Sequence, residues 1–321
     1  MRTLFTYIKK YKGILLLALL LAIINQVFSL LDPQIFRLII DNYATNPSAH
    51  TTKEFIQGAG LLIVAAVGVA FISRTAKTFQ EYYVSVITQR VGTQMYAKGV
   101  EHTFKLPFEV FEDRRSGEVL QKLQKAKIDS QTLIENFINT IFLSLIGMIV
   151  VIGYAFYVHW VIGTVYVSLI PLLGVTTYFL SKKIKKAQAD IVGETAELSG
   201  STTETLRNVE TVKSLGLEHQ EISRLNNVNE KILGLELKKV KLLRTLVFIQ
   251  GTLINALRSA LLLLMLWFIF AGSITIGEFF TLFIYSFFVF TPLTNLGQIA
   301  SQYQEAKASN EQLDQILQLQ T

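Results

Sequence analysis

The side chains best able to do chemistry in this 321-residue chain are few, and their spacing argues against most reactions. The four histidines, at 50, 102, 159 and 219, fall in four different segments. No two of them are three or four residues apart, the spacing that puts two imidazole ligands on one helix face, so no metal site is expected. There is no cysteine, which rules out disulfides, thiol catalysis and thiolate-bound metals. No Gly-x-x-x-x-Gly-Lys phosphate loop occurs, nor any Gly-Lys pair at all. A Gly-x-Ser-x-Gly elbow and a His-Glu-x-x-His pair are missing too.

What remains is polar side chains inside apolar runs. Arg258 stands in the middle of TLINALRSALLLL. A charge at a bilayer centre costs at least ~2.5–3.5 kcal/mol, and such residues face a bundle interior or a water-filled cavity. Asn255, three residues earlier, shares its helix face. Asn25, Gln26, Asn139, Tyr154 and Tyr285 interrupt other apolar runs and are candidates for the same cavity. A structural role is the alternative. Amides and hydroxyls hydrogen-bond between spans, and Arg258 can pair with a carboxylate or with backbone carbonyls.

Positioning these residues is the task of an apolar scaffold. The chain is 51% hydrophobic and 17% charged, where a soluble domain has about a quarter of its residues charged. Six runs approach the ~20 residues that cross a hydrocarbon core. They are roughly Gly13–Leu31, Ala59–Ile72, Phe137–Val158, Trp160–Leu180, Leu246–Ala271 and Ile276–Leu293. The expected fold is therefore an all-α membrane protein with six transmembrane helices. Basic clusters at Lys9–Lys12, Arg90–Lys127, Lys182–Lys186 and Lys238–Arg244 lie on one side of these runs. Of the basic residues only Lys53 falls on the other side. The basic side is cytoplasmic by the usual bias, which puts both termini inside. Positive-inside sorting accounts for the net charge of +6 without nucleic acid.

Two connections are far too long for loops. Residues 90–127 and 181–244 are polar, helix-forming and almost free of breaks. Each reads as a pair of helices that leave the membrane, turn and return. Stripes at helical intervals mark the packed faces: Val84, Ile87, Val91, Met95, then Ile184, Ala187, Ile191, Leu198, and Leu225, Val228, Ile232, Leu235. The turns fall at about Pro107–Gly117 and Val212–Gln220. Residues 1–12 suit a short interfacial helix. Residues 13–300 form the six-span body, and 301–321 continue as a polar helix.

So arranged, the chain resembles the transmembrane domain of ABC exporters of the six-span type with long intracellular helices. SLLDPQIFRLIIDNYA is similar to the end of that family's first span. LPFEVFEDRRSGEVLQKLQKAKIDS and TLRNVETVKSLGLEHQEISRL resemble its two intracellular loops. GSITIGEFFTLFIYSFFVFTPLTNLG resembles its last span, and QYQEAKASNEQLDQIL the linker toward a nucleotide-binding domain. The resemblance implies the membrane-spanning half of an ATP-driven exporter in a bacterial inner membrane. It implies a domain-swapped dimer, with a second copy or a paralogue, in which spans four and five cross to the other subunit.

It also implies that the two turns are coupling helices seated on ATPase domains. Those of the first turn are Phe108, Phe111, Glu112 and Asp113. Those of the second are Val212, Lys213, Leu215, Leu217 and Glu218. ATP and Mg would be handled by the nucleotide-binding domain, so this chain is expected to hold no cofactor and to catalyse nothing. That domain is expected either beyond a cut at Thr321, the favoured reading, or on a separate chain. Two other readings stay open: a six-span channel or secondary carrier without an ATPase, and a membrane scaffold. The substrate is not legible.

Overall fold

The computed structural model describes residues 2–45, 47–105 and 116–318, and every regular element among them is helical. A short amphipathic helix, α1 (Arg2–Lys10), precedes α2 (Lys12–Ile39), which passes into a π-helical turn at Ile40–Ala44. After a 3-10 turn at Pro47–Ala49 comes α3 (Thr52–Phe104), 53 residues without a break. At 1.5 Å per residue it is about 80 Å long, more than twice a hydrocarbon core. It starts at a capping box. The Thr51 hydroxyl accepts from the Glu54 N–H, and the Glu54 carboxylate accepts from the Thr51 N–H at 2.8 Å.

The return path is α4 (Ser116–Asn136), a π-helical stretch at Phe137–Phe142, and α5 (Leu143–Val158). One extended residue, His159, turns the chain into α6 (Trp160–Arg207). A six-residue helix, α7 (Val209–Ser214), then leads into α8 (Glu218–Phe270). The chain ends with α9 (Ile276–Thr294) and α10 (Leu296–Leu317). The sequence suggests one helix from the sixth span onward; the structure breaks it at Asn295, whose N–H reaches back to the Pro292 carbonyl at 3.1 Å.

Among the described residues, five helices are long and apolar enough to cross a membrane: Lys12–Ala44, Thr52–Phe104, Val119–Val158, Trp160–Thr195 and Glu218–Phe270. Ile276–Pro292 is apolar but shorter. These faces are not packed away inside the protein. On α3, Leu61, Val64, Val67 and Phe71 are 66–71% exposed. Water would penalise so continuous an apolar surface, whereas lipid does not. The chain is an integral membrane protein.

The helices group into two compact units. One runs to Ser168 and resumes at Arg258; the other is Leu169–Leu257. In the larger, a hydrophobic core forms where α1, α3, α4 and α10 meet. Val84, Ile87, Val91 and Met95 of α3, each at most 1% exposed, pack there with Leu123 and Ala126 of α4. Leu4 and Tyr7 of α1 and Leu313 and Ile316 of α10 complete it. Two hydrogen bonds fasten α10 to α4: Asn136 donates to the Gln302 side-chain oxygen at 2.8 Å, and buried Asn310 donates to the Ser130 hydroxyl at 2.8 Å.

The smaller unit is an antiparallel hairpin of α6 and α8. Polar pairs run up it in step: Gln250 to Thr177 at 2.7 Å, Lys239 to Gln188, Lys231 to Glu194, Arg224 to Ser201, and Thr205 to Glu221. Between them, Ala187 and Ile191 are buried, while Leu225, Val228, Ile232 and Leu235 are half-buried. Gly216 ends α7 at φ +65°, a conformation that favours glycine. The Leu217 N–H then bonds back to the Val212 carbonyl at 3.0 Å, closing the turn as a Schellman motif.

Candidate functional site

The larger unit contains a cavity of about 400 Å³ between α2, α5 and α9. Gln26 enters it from α2, and Asn139 and Thr140 from the π-helical stretch. Ser144 and Gly147 of α5 and Phe287, Phe288 and Thr291 of α9 form the other walls. A π turn carries an extra residue and re-aims the side chains around it, and such turns are frequent at functional sites. Asn139 is held there by the Gln80 amide, which donates to it at 2.9 Å. Gly147 leaves the room that Gln26 uses, for a β-carbon there would lie 2.6 Å from the Gln26 Nε2.

Arg258 stands behind one of these walls. Its guanidinium lies 4.1 Å from the centre of the Phe287 ring and 5.5 Å from that of Phe290. Its Nε is buried without a hydrogen-bond acceptor, and no carboxylate pairs with it among the described residues. Desolvated cation–π contacts contribute about 2 kcal/mol or more. They offset much of the cost of placing the charge at this depth, but they supply no acceptor for its N–H groups.

The remaining amide and tyrosine candidates lie elsewhere. Asn25 is buried and accepts from the Ser73 hydroxyl at 3.0 Å, tying α2 to α3. Asn255 is exposed on α8. Tyr154 and Tyr285 stack edge-on, 5.4 Å between ring centres, in a separate polar network nearer the short connections. There the Arg37 guanidinium donates to the Tyr154 hydroxyl at 2.9 Å. Tyr285 donates to the Leu30 carbonyl and accepts from the Gln34 amide. Thus Gln26 and Asn139 share the cavity, and Arg258 packs on one of its wall residues, Phe287. Sequence reasoning missed Thr140, Ser144, Thr291 and Phe287. A signal was present: Thr140, Ser144 and Gly147 are spaced to lie along one helix face.

At the far end of the smaller unit, Leu206 and Leu215 are 65% and 64% exposed, and Val209 and Lys213 are exposed beside them. Val212 and Leu217 are half-buried and Glu218 is exposed. The Glu221 carboxylate, bonded by Arg224 and then by Thr205, is held below the ordinary carboxylate range. The first turn, with Phe108, Phe111, Glu112 and Asp113, lies outside the described residues.

Comparison with known proteins agrees with this architecture. The family described as ABC transporter transmembrane region matches residues 15–293. The lactococcin-A transport/processing ATP-binding protein LcnC of Lactococcus lactis is 22% identical over 317 residues, 96% of this chain and 42% of the relative. The transport/processing ATP-binding protein ComA of Streptococcus pneumoniae is 22% identical over 314 residues, 96% of this chain and 42% of the relative. An uncharacterized ABC transporter ATP-binding protein of Bacillus subtilis, YwjA, is 20% identical over 306 residues, 94% of this chain and 52% of the relative. The chain spans about half or less of the length of these curated relatives. With its membrane-length helices, its paired amphipathic stripes and a match over most of its length, the chain belongs to the family of ABC transporter transmembrane regions.

Proposed function

We propose that this chain is the substrate-translocating half of an ATP-driven exporter working by alternating access, in a bacterial inner membrane with both termini cytoplasmic. Residues 1–12 act as an interfacial elbow, 13–300 as the six-span domain, and 301–321 as the linker toward a nucleotide-binding domain. ATP and Mg bind that domain, joined to this chain or supplied separately. The α6–α8 hairpin is the observation that carries the reading. A stiff pair of helices, zipped by polar pairs from Thr177 to Thr205, transmits a push at its tip to its membrane end. Its tip displays apolar side chains, Leu206, Val209 and Leu215, that a soluble partner would cover.

Two helices alone have no core on both faces. Phe179, Val247 and Phe248 of the hairpin are 60–72% exposed. A second copy or a paralogue, receiving this hairpin in exchange for its own, buries such faces. The names of the relatives LcnC and ComA, which pair transport with processing, favour a polypeptide substrate. A mixed lining of amides, hydroxyls and phenyl rings suits a peptide backbone with apolar side chains. ATP binding can drive the cycle only by its differential affinity for the two facing states.

The test uses vesicles holding this chain together with its nucleotide-binding domain and reads ATP-driven peptide uptake. Val209→Glu with Leu215→Glu should uncouple hydrolysis from uptake while the protein still assembles. Uptake at the native rate would remove the tip from the coupling path.

A further inference from the structure

The cavity is polar yet none of its lining side chains carries a charge. Its electrostatic sign is therefore set by what stands behind the walls. Arg258 stands there, 4.1 Å from the Phe287 ring that forms one wall. No carboxylate among the described residues neutralises Arg258, and its Nε finds no acceptor. Charges interact far more strongly across a low-dielectric interior than through water. The field of this cation is therefore felt in the cavity.

We infer that the cavity selects for an anionic group and against a cationic one, and that a polypeptide is bound with a carboxylate directed toward Arg258. The amides of Gln26 and Asn139 bond the neutral backbone and read no charge. Arg258 supplies the discrimination. The aromatic wall is compatible with this, since a guanidinium stacked on phenyl faces keeps its N–H edge available to a planar carboxylate. The inference rests on the reading of this cavity as the substrate site. It goes further in naming the charge that the substrate presents. A lipid phosphate offers the same chemistry, and the experiment separates the two sources.

The protein is placed in nanodiscs of phosphatidylcholine. Fluorescence anisotropy then compares two N-acetylated apolar hexapeptides with an uncharged fluorophore, one ending in a free carboxylate and one in an amide. The carboxylate form should bind about tenfold more tightly, a difference of about 1.4 kcal/mol. Arg258→Gln should bring the two peptides level, and Arg258→Lys should restore part of the preference. Equal binding to the native protein, or a preference that survives Arg258→Gln, overturns the inference. If Asn139→Leu still weakens both peptides in that case, the cavity reading stands without it. If neither peptide binds, both readings fall. Phosphatidylglycerol in the disc should leave the preference intact. Should it abolish the preference, Arg258 holds a lipid phosphate and the assignment to the substrate is wrong.

Discussion

The Asp41 carboxylate accepts a hydrogen bond from the Gly277 backbone N–H at 2.8 Å, fastening the end of the first span to the start of the last. The same carboxylate accepts from the Thr275 hydroxyl at 2.6 Å. It so places a negative charge at the N-terminus of α9, where the helix dipole favours one. Arg37 stands 3.8 Å from it and also holds Tyr154, which joins the third span to the cluster.

Gly277 is required there by closeness. A β-carbon would lie 2.7 Å from the Arg37 carbonyl oxygen, which is backbone and cannot swing aside. Gly277→Ala should therefore destabilise the protein by about 1–3 kcal/mol, the usual cost of overpacking. A lowered midpoint of thermal unfolding in detergent is the expected result. An unchanged midpoint would show that the two spans are not locked at this point.

Gly147→Ala tests the cavity wall. Its new methyl group meets the end of a flexible side chain, the Gln26 amide, rather than backbone. The fold should survive with little loss of stability, while the Gln26 amide is displaced. Peptide affinity should fall several-fold with the unfolding midpoint nearly unchanged. A large loss of stability instead would make this contact structural.

Asn310 is buried and donates to both the Ser130 hydroxyl and the Ala306 carbonyl. Asn310→Ala removes one of the two hydrogen bonds that tie α10 to α4 and takes from buried Ser130 its donor, which costs about 1–3 kcal/mol. Limited proteolysis should cut α10 sooner in the variant. Equal protection would mean that apolar contacts at Leu313 and Ile316 suffice.

The Glu221 link at the hairpin tip depends on pH. Its carboxylate is held below its ordinary pKa by Arg224 and Thr205. A depressed pKa contributes stability that is present above the ordinary carboxylate range and lost as pH falls through the lower, folded value. Spin labels at Leu206→Cys and Ile222→Cys should therefore report a broader distance distribution at strongly acidic pH than at neutral pH. Glu221→Gln should give the broad distribution at both. A narrow distribution throughout would show that the link does not order the tip.

Much of the scaffold was legible because it follows from periodicity. The stripe Val84, Ile87, Val91, Met95 identifies the buried face of α3. The site was harder to read. The π turn at Phe137–Phe142 has no marker in residue type. Tyr154 and Tyr285 are polar interruptions in apolar runs just as Gln26 and Asn139 are. Only the fold distinguishes a tyrosine occupied by Arg37 or Leu30 from an amide that faces a cavity.

The natural absence of cysteine makes one measurement especially direct. Asn139→Cys and Val64→Cys are each placed in the otherwise thiol-free chain, and membranes are treated with a water-soluble, membrane-impermeant maleimide. If the cavity is part of an aqueous translocation path, the cysteine at 139 reacts and the one at 64, on an apolar face, does not. Protection of position 139 equal to that of position 64, on both sides of the membrane and with or without ATP, would contradict the account.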